Sequence, residues 1–172
     1  MDITFTPFTH EAMVEGVQTI AAALETDGWR PSLLVGIGRG GLAPAVYLSH
    51  RMGIPLVSID HSTRIAQFGE ELVAVLAERT RAGERLLFVE DINDSGKTIG
   101  EIRAALAAQG ARPEHIRFAV LLDNVRSAQR VEYGSQTIDR SVTKDWFIFP
   151  WEAMAPQETV AQEAIEVPER LG

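Results

Sequence analysis

Cysteine is absent from the 172 residues, which excludes disulfides and thiolate metal sites without fixing a compartment. Also missing is any apolar run near the roughly 18 residues of a membrane helix, so the chain is not expected to span a bilayer. The opening MDITFTPFTHEAM has neither a basic n-region nor a continuous apolar h-region. A secretory leader is therefore not expected, and the implied address is cytoplasmic. Basic residues are in deficit, 16 Lys and Arg against 24 Asp and Glu, for a net charge of -8. That charge repels a phosphate backbone at long range, so nucleic acid is not the expected partner. Aromatics make up only 7% of the chain, and they concentrate late, in TKDWFIFPWE (143–152).

What is present is the composition of one globular domain, 45% hydrophobic and 23% charged, spanning residues 1–172 and long enough for a single substantial core. Thr9 precedes HEAMVEGVQTIAAALETDG, where Met13, Val17, Ile20, Ala21 and Leu24 recur at helical spacing and Gly28 is the stop. SLLVGI (32–37), PLVSID (55–60), RLLFVE (85–90) and HIRFAVLL (115–122) read as short buried strands. Helices are expected at 42–53, closed by Gly53, and from Ser95 to Gln109, with a shorter amphipathic patch at ELVAVLAERT. Strands alternating with helices imply an α/β fold, a mostly parallel twisted sheet with helices on both faces. The last residues, from about 156, read as a polar, acidic tail.

Two turns carry the chemistry. Gly36-Ile37-Gly38-Arg39-Gly40-Gly41 follows a strand and satisfies G-x-G-x-x-G, and Asp60 ends the next strand about where a ribose-binding acid is wanted in a dinucleotide site. The bulky cation Arg39 inside the turn suits a free phosphate group better than close packing beneath a dinucleotide. A purely structural glycine turn is a further reading. The second turn is LLFVEDINDSGKTIG (86–100), in which Gly96-Lys97-Thr98 has the tail of a Walker A loop but Asp91 stands where that loop needs its first glycine. Carboxylates at the strand end can bind hydroxyls or a magnesium-bound sugar, while the N–H groups and hydroxyls that follow bind one phosphate at a helix N-terminus. A sugar phosphate satisfies both halves. Helix capping by Glu90, Asp91 or Asp94 is the plain alternative, although capping does not need all three.

VEDINDSGKT resembles the phosphoribosyl pyrophosphate-binding motif of the type I phosphoribosyltransferases. GIGRGGLAPAVYLSHRMGIP is similar to that family's pyrophosphate loop and following helix, and DWFIFPWE to the purine-stacking hood of its bacterial xanthine-guanine branch. The resemblance covers roughly residues 32–152 in the order of the family. It implies a phosphoribosyltransferase fold with a small C-terminal hood (about 137–155) and a tail over 156–172. It implies transfer of the 5-phosphoribosyl group from phosphoribosyl pyrophosphate to a purine base, by a homodimer or homotetramer. Glu90 and Asp91 would bind the ribose hydroxyls, directly or through Mg2+, with Glu152 near a second magnesium or the pyrophosphate. Ser95, Gly96, Lys97 and Thr98 would bind the 5′-phosphate, and Gly38, Arg39, Gly40 and Gly41 the pyrophosphate. Asp94 would be the general base.

The same likeness assigns Trp146 to stacking on the base, with Phe147 and Ile148 offering backbone contacts, although an aromatic there also suits ordinary core. It makes residues 61–70 a closing lid and the Gly38–Arg39 bond the place for a cis peptide, a form costing about 3 kcal/mol. The chain departs from the family at LLDNVRS, where Asn124 stands closest to the lysine that usually donates to a 6-oxopurine. An amide both donates and accepts, so Asn124 suits a 6-oxo or a 6-amino group. A 6-oxopurine is expected from the hood, with adenine or an unusual purine as the alternative. Lys144 and the four histidines read as solvated or structural. A non-catalytic, phosphoribosyl pyrophosphate-sensing regulator on the same fold would need a basic face or an added DNA-binding domain, and the sequence has room for neither.

Overall fold

Thr9 caps the first helix as expected: its Oγ1 accepts from the Ala12 N–H at 3.1 Å, and at the other end Gly28, at φ +69°, returns its N–H to the Leu24 carbonyl. The computed structural model describes residues 3–60 and 68–165. Along the chain run β1 (Phe5–Pro7), α1 (His10–Asp27), β2 (Leu33–Ile37), α2 (Gly38–Met52), β3 (Leu56–Ile59), α3 (Phe68–Arg81) and β4 (Leu86–Asn93). They are followed by α4 (Lys97–Ala108), β5 (Ile116–Asn124), β6 (Tyr133–Ile138), β7 (Trp146–Ile148) and α5 (Gln157–Ile165).

The main sheet has the order β3-β2-β4-β5-β6, and every neighbouring pair is parallel. Its strands alternate between two apolar faces. Leu34, Leu87, Val89, Ala119 and Leu121 pack against α1 and α2, where Val17, Ile20, Leu24 and Leu48 meet them. Leu33, Val35, Phe88, Phe118 and Val120 face the other way, onto Leu76 and Ala77 of α3 and Ile99, Ile102 and Leu106 of α4. Because both faces are covered, the strands read as continuous apolar runs rather than alternating ones. Phe88 and Phe118 are register partners whose rings stack at 5.1 Å in the middle of the second face.

The chain leaves β2 in one direction along the sheet and β4 in the other, since β2 lies between β3 and β4. Parallel sheets bind ligands outside the carboxyl ends of strands at such a reversal. Both turns singled out in the sequence sit there.

Several boundaries differ from the expectation. Helix α2 begins at Gly38 rather than residue 42, so the glycine turn is its first turn. Strand β4 continues to Asn93, carrying Glu90 within the ladder opposite Val120, and α4 therefore begins at Lys97. The patch at ELVAVLAERT belongs to the 14-residue α3. No peptide among the described residues is cis. The expected cis bond at Gly38–Arg39 is trans, and the chain instead turns through Gly38 at φ +53°, a conformation open to glycine. The lid expected at 61–70 falls mostly outside the described residues, and its last three positions begin α3.

Four elements were not expected: β6, which adds a fifth strand at the edge of the main sheet, the pair β1 and β7, and α5. β1 pairs in parallel with β7, Phe5 opposite Trp146 and Pro7 opposite Ile148, as a separate two-stranded sheet. The Thr6 hydroxyl donates to Asp145 Oδ2 at 2.6 Å, and the Phe149 ring meets Phe8 at 5.2 Å with a tilt of 48° and stacks on Trp151 at 4.9 Å. The hood is thus built jointly by segments from both ends of the fold. The expected polar tail opens with α5, which buries Val160 and Ala164.

Candidate active site

A cleft of about 710 Å³ lies at the carboxyl ends of β2 and β4. The turns at 37–40 and 90–99 form two of its sides, and Trp151, Glu152 and the start of α5 form another.

The glycine turn is shaped by close approach. A methyl group on Gly40 would overlap the Asp91 carboxylate, and one on Gly41 would overlap the Val89 carbonyl. Glycine therefore lets α2 begin directly against the acidic end of β4. No side chain caps this helix, so the N–H groups of its first turn face the cleft beside exposed Arg39.

At the strand end, Glu90 and Asp91 face the cleft while surrounded by protein. Burial, reinforced by the neighbouring Asp91 charge, holds Glu90 well above the usual carboxylate range. Burial and then the Glu152 charge push Asp91 up to about 6, while its own Oδ1 accepts from the Ile92 N–H at 2.7 Å. Among the described residues no three acidic or imidazole groups converge as a ready-made metal cage. Hard carboxylate oxygens whose negative charge is mutually unfavourable nevertheless suit Mg2+, which commonly takes one or two carboxylates and completes its shell with substrate oxygens and water. The donor set fits that ion.

The turn after β4 is buttressed from behind. Asn93 donates to Asp123 Oδ1 at 2.8 Å and to the Gln129 carbonyl at 2.9 Å, and it accepts from the Ser127 hydroxyl at 2.7 Å. Gly96 sits at φ +86°, and a Cβ there would meet Ser127 Oγ and the Gln129 nitrogen. Helix α4, like α2, gets no side-chain bond from its N-cap residue, although Ser95 Oγ accepts from the Lys97 N–H at 3.3 Å. The capping alternative for the acids thus fails: Asp94 turns away from the helix and accepts two hydrogen bonds from Arg140, Nε to Oδ1 at 2.8 Å and Nη2 to Oδ2 at 3.0 Å.

Of the residues expected in a site, Gly38, Arg39, Gly40, Glu90, Asp91, Asp94, Ser95, Gly96, Lys97, Thr98 and Glu152 all line this cleft. Gly41 lies just behind it. Asn124 is not a lining residue: it is buried, its Nδ2 donates to the Asp94 carbonyl at 2.9 Å, and its Oδ1 accepts from the Arg126 and Arg140 N–H groups at 3.2 Å. An amide so engaged has its Oδ1 and one of its two Nδ2 hydrogens bonded within the scaffold. Trp146, Phe147 and Ile148 are likewise absent from the lining, and their main chain pairs with β1. Trp151 lines the cleft in their place. Arg140, Asn93 and Trp151 had not been singled out. For Trp151 the signal was present, a second tryptophan in the same segment. For Arg140 no local pattern marks an arginine 46 positions from its partner.

Two helix N-termini whose N-cap residues offer no side-chain bond thus flank a carboxylate pair in one cleft, an arrangement suited to anionic groups on either side of a hydroxylated one. The family described as phosphoribosyl transferase domain matches residues 8–157. The chain belongs to the phosphoribosyltransferase family. A xanthine-guanine phosphoribosyltransferase from Cereibacter sphaeroides is 29% identical over 133 residues, 74% of this chain and 72% of that protein. An orotate phosphoribosyltransferase from Oceanobacillus iheyensis is 28% identical over 88 residues, 51% of this chain but only 42% of that protein's length. Among solved structures, a purine phosphoribosyltransferase from Pyrococcus horikoshii Ot3 superposes with a TM-score of 0.66 at 26% identity, covering 90% of this chain and 98% of the other. The parallel sheet flanked by helices is the phosphoribosyltransferase fold.

Proposed function

We propose that the chain transfers the 5-phosphoribosyl group of phosphoribosyl pyrophosphate to a purine base, with a 6-oxopurine as the preferred acceptor, releasing a nucleoside 5′-monophosphate and pyrophosphate. The observation that carries this is the pair of helix N-termini, α2 and α4, on either side of Glu90 and Asp91. Each terminus suits one anionic group, and the carboxylates between them suit the ribose hydroxyls. The preference for a 6-oxopurine rests on the hood segment and on the likeness to the xanthine-guanine enzyme.

In this reading the N–H groups and hydroxyls of Ser95 to Thr98 hold the 5′-phosphate, with the α4 dipole adding a modest favourable contribution. Glu90 and Asp91 orient the ribose. One or both of these carboxylates, with Glu152 nearby, would hold Mg2+, which would supply positive charge against that of the diphosphate. Arg39 and the N–H groups that open α2 hold the pyrophosphate as the bond from C1′ to oxygen breaks and negative charge grows on the departing group. The base nitrogen bonds to C1′, and Asp94 accepts the proton that the base loses. The wall formed by Trp151 and the start of α5 limits water near a C1′ of oxocarbenium character.

The test is a screen of purine bases with phosphoribosyl pyrophosphate and Mg2+, followed by pyrophosphate release and the nucleotide formed. Turnover of hypoxanthine, guanine or xanthine is expected. Turnover of adenine alone would overturn the 6-oxopurine preference, and tight binding of phosphoribosyl pyrophosphate with no turnover of any base would favour a sensing protein.

A further inference from the structure

Arg140 is one of only four buried polar or charged side chains among the described residues, its side chain 6% exposed, and its partner Asp94 is 17% exposed. Four of its five N–H groups have assigned acceptors. Nε and Nη2 grip the two Asp94 oxygens in a fork, and Nη1 donates to the Thr143 carbonyl at 3.1 Å and the Asp145 carbonyl at 2.7 Å. The guanidinium also lies over the Phe147 ring at 5.3 Å. Asn124 ties the pair again through the main chain, donating to the Asp94 carbonyl and accepting from the Arg140 N–H.

A fork fixes the plane of a carboxylate as well as its distance, which a single ammonium cannot do. Two carbonyls and an aromatic ring hold this fork from behind, so it has little freedom to follow Asp94 if the carboxylate rotates. Two of the roughly four acceptor positions on Asp94 are taken by this fork. The carbonyls that brace the fork belong to the segment leading directly into β7. The hood and the turn that bears Asp94 are therefore joined through one side chain.

We propose that Arg140 is the positioning residue of the base site, fixing the Asp94 carboxylate for proton acceptance and setting it against the hood. This rests on the reading of Asp94 as the proton acceptor, and it adds a residue that does not itself touch substrate. A simple structural ion pair would lower stability when broken and leave the turnover of the folded protein alone. A positioning fork loses turnover at the chemical step.

The test compares the full-length wild type, Arg140→Lys and Arg140→Ala by kcat and KM for the base, calorimetric affinity for phosphoribosyl pyrophosphate with Mg2+, and thermal midpoint. Arg140→Lys retains the charge without the fork. It is expected to fold, to bind phosphoribosyl pyrophosphate within about threefold of wild type, and to lose about 10- to 100-fold in kcat, the scale of a small misplacement of a reacting group. Guanidinium at millimolar concentration is expected to restore part of the kcat of folded Arg140→Ala and to leave wild type and Asp94→Asn unchanged. An Arg140→Lys variant that keeps its kcat, or loses kcat and phosphoribosyl pyrophosphate affinity in parallel, overturns the inference; should Arg140→Ala fail to fold, the lysine variant still decides. A folded Arg140→Ala that guanidinium leaves unchanged also overturns it. If wild type releases no pyrophosphate with any purine, the functional reading falls and takes this inference with it, a result distinct from the others because it appears before any substitution.

Discussion

At the scale of single residues, Asp91 has the most to say about how function opposes stability. Its pKa is raised to about 6 in the folded protein from an ordinary 3.8. The folded state therefore holds a proton that the unfolded chain releases earlier, and the associated stability, complete below about pH 4, is lost as pH rises through 6. At neutral pH the empty site carries an unfavourable charge. Asp91→Asn is expected to raise the stability of the ligand-free protein at pH 7 by about 1–2 kcal/mol and to change it little at pH 4, after discounting the group's partial contact with solvent. The same variant should weaken phosphoribosyl pyrophosphate binding. Denaturant titrations at the two pH values, with calorimetry at pH 7, measure both. Asp94→Asn is expected to fold and to bind phosphoribosyl pyrophosphate normally while losing about 10²- to 10⁴-fold in kcat, the usual contribution of a placed general base, as read from steady-state pyrophosphate release. Near-normal turnover would reduce Asp94 to a structural role.

At the scale of elements, two glycines separate conformational strain from steric contact. Gly28 ends α1 at φ +69° with nothing within 4 Å of where a Cβ would stand, so Gly28→Ala is expected to cost about 1 kcal/mol and to leave kcat/KM unchanged. Gly41 has an ordinary φ, but a Cβ there would strike the Val89 carbonyl, which is main chain in the central strand and cannot move aside. Gly41→Ala must displace α2 from β4. It is expected to cost about 1–3 kcal/mol and, unlike Gly28→Ala, to lower phosphoribosyl pyrophosphate affinity, because the displaced turn is the one that presents Arg39. Thermal melts and calorimetry on the two variants distinguish these costs. The strand-turn-helix units were legible in the sequence because their signals are local: caps, glycine stops, and apolar runs of strand or helix period. Their bounds were less legible. Glu90 and Asp91 interrupt an apolar run, and only the partner strand β5 keeps the chain extended through them to Asn93.

At the scale of the whole molecule, the hood depends on a segment far from it in sequence. Phe8 is 6% exposed, and it underlies the stack that continues through Phe149 to Trp151 in the cleft wall. Phe8→Ala is expected to destabilise the protein by about 3 kcal/mol and, in the fraction that remains folded, to raise KM for the base more than that for phosphoribosyl pyrophosphate. Equal effects on both substrates would show that the stack supports the main sheet and not the base site. Near-neutral thermal stability would show that the hood does not rest on this contact.

The acidic strand end, the two glycine turns and the alternation of strands with helices were determined by the sequence on its own, because each is specified by residues within a few positions of one another. The placement of the proposed base site was decided only by tertiary structure. A three-residue strand such as β7 has no pattern long enough to state which way it faces, and its pairing with β1 joins positions about 140 residues apart, as in the Thr6–Asp145 hydrogen bond with a separation of 139. That pairing engages the main chain of Trp146 to Ile148, and Trp151, beyond it, lines the cleft. Asn124 shows the same limit, since an amide at a strand end can serve a ligand or the scaffold, and the choice depends on where the carbonyl of Asp94 and the N–H of Arg140 come to lie. Local chemistry thus determined which groups are proposed to meet phosphate and ribose, while the surroundings of Asp94 were set by contacts that form only when distant segments pack together.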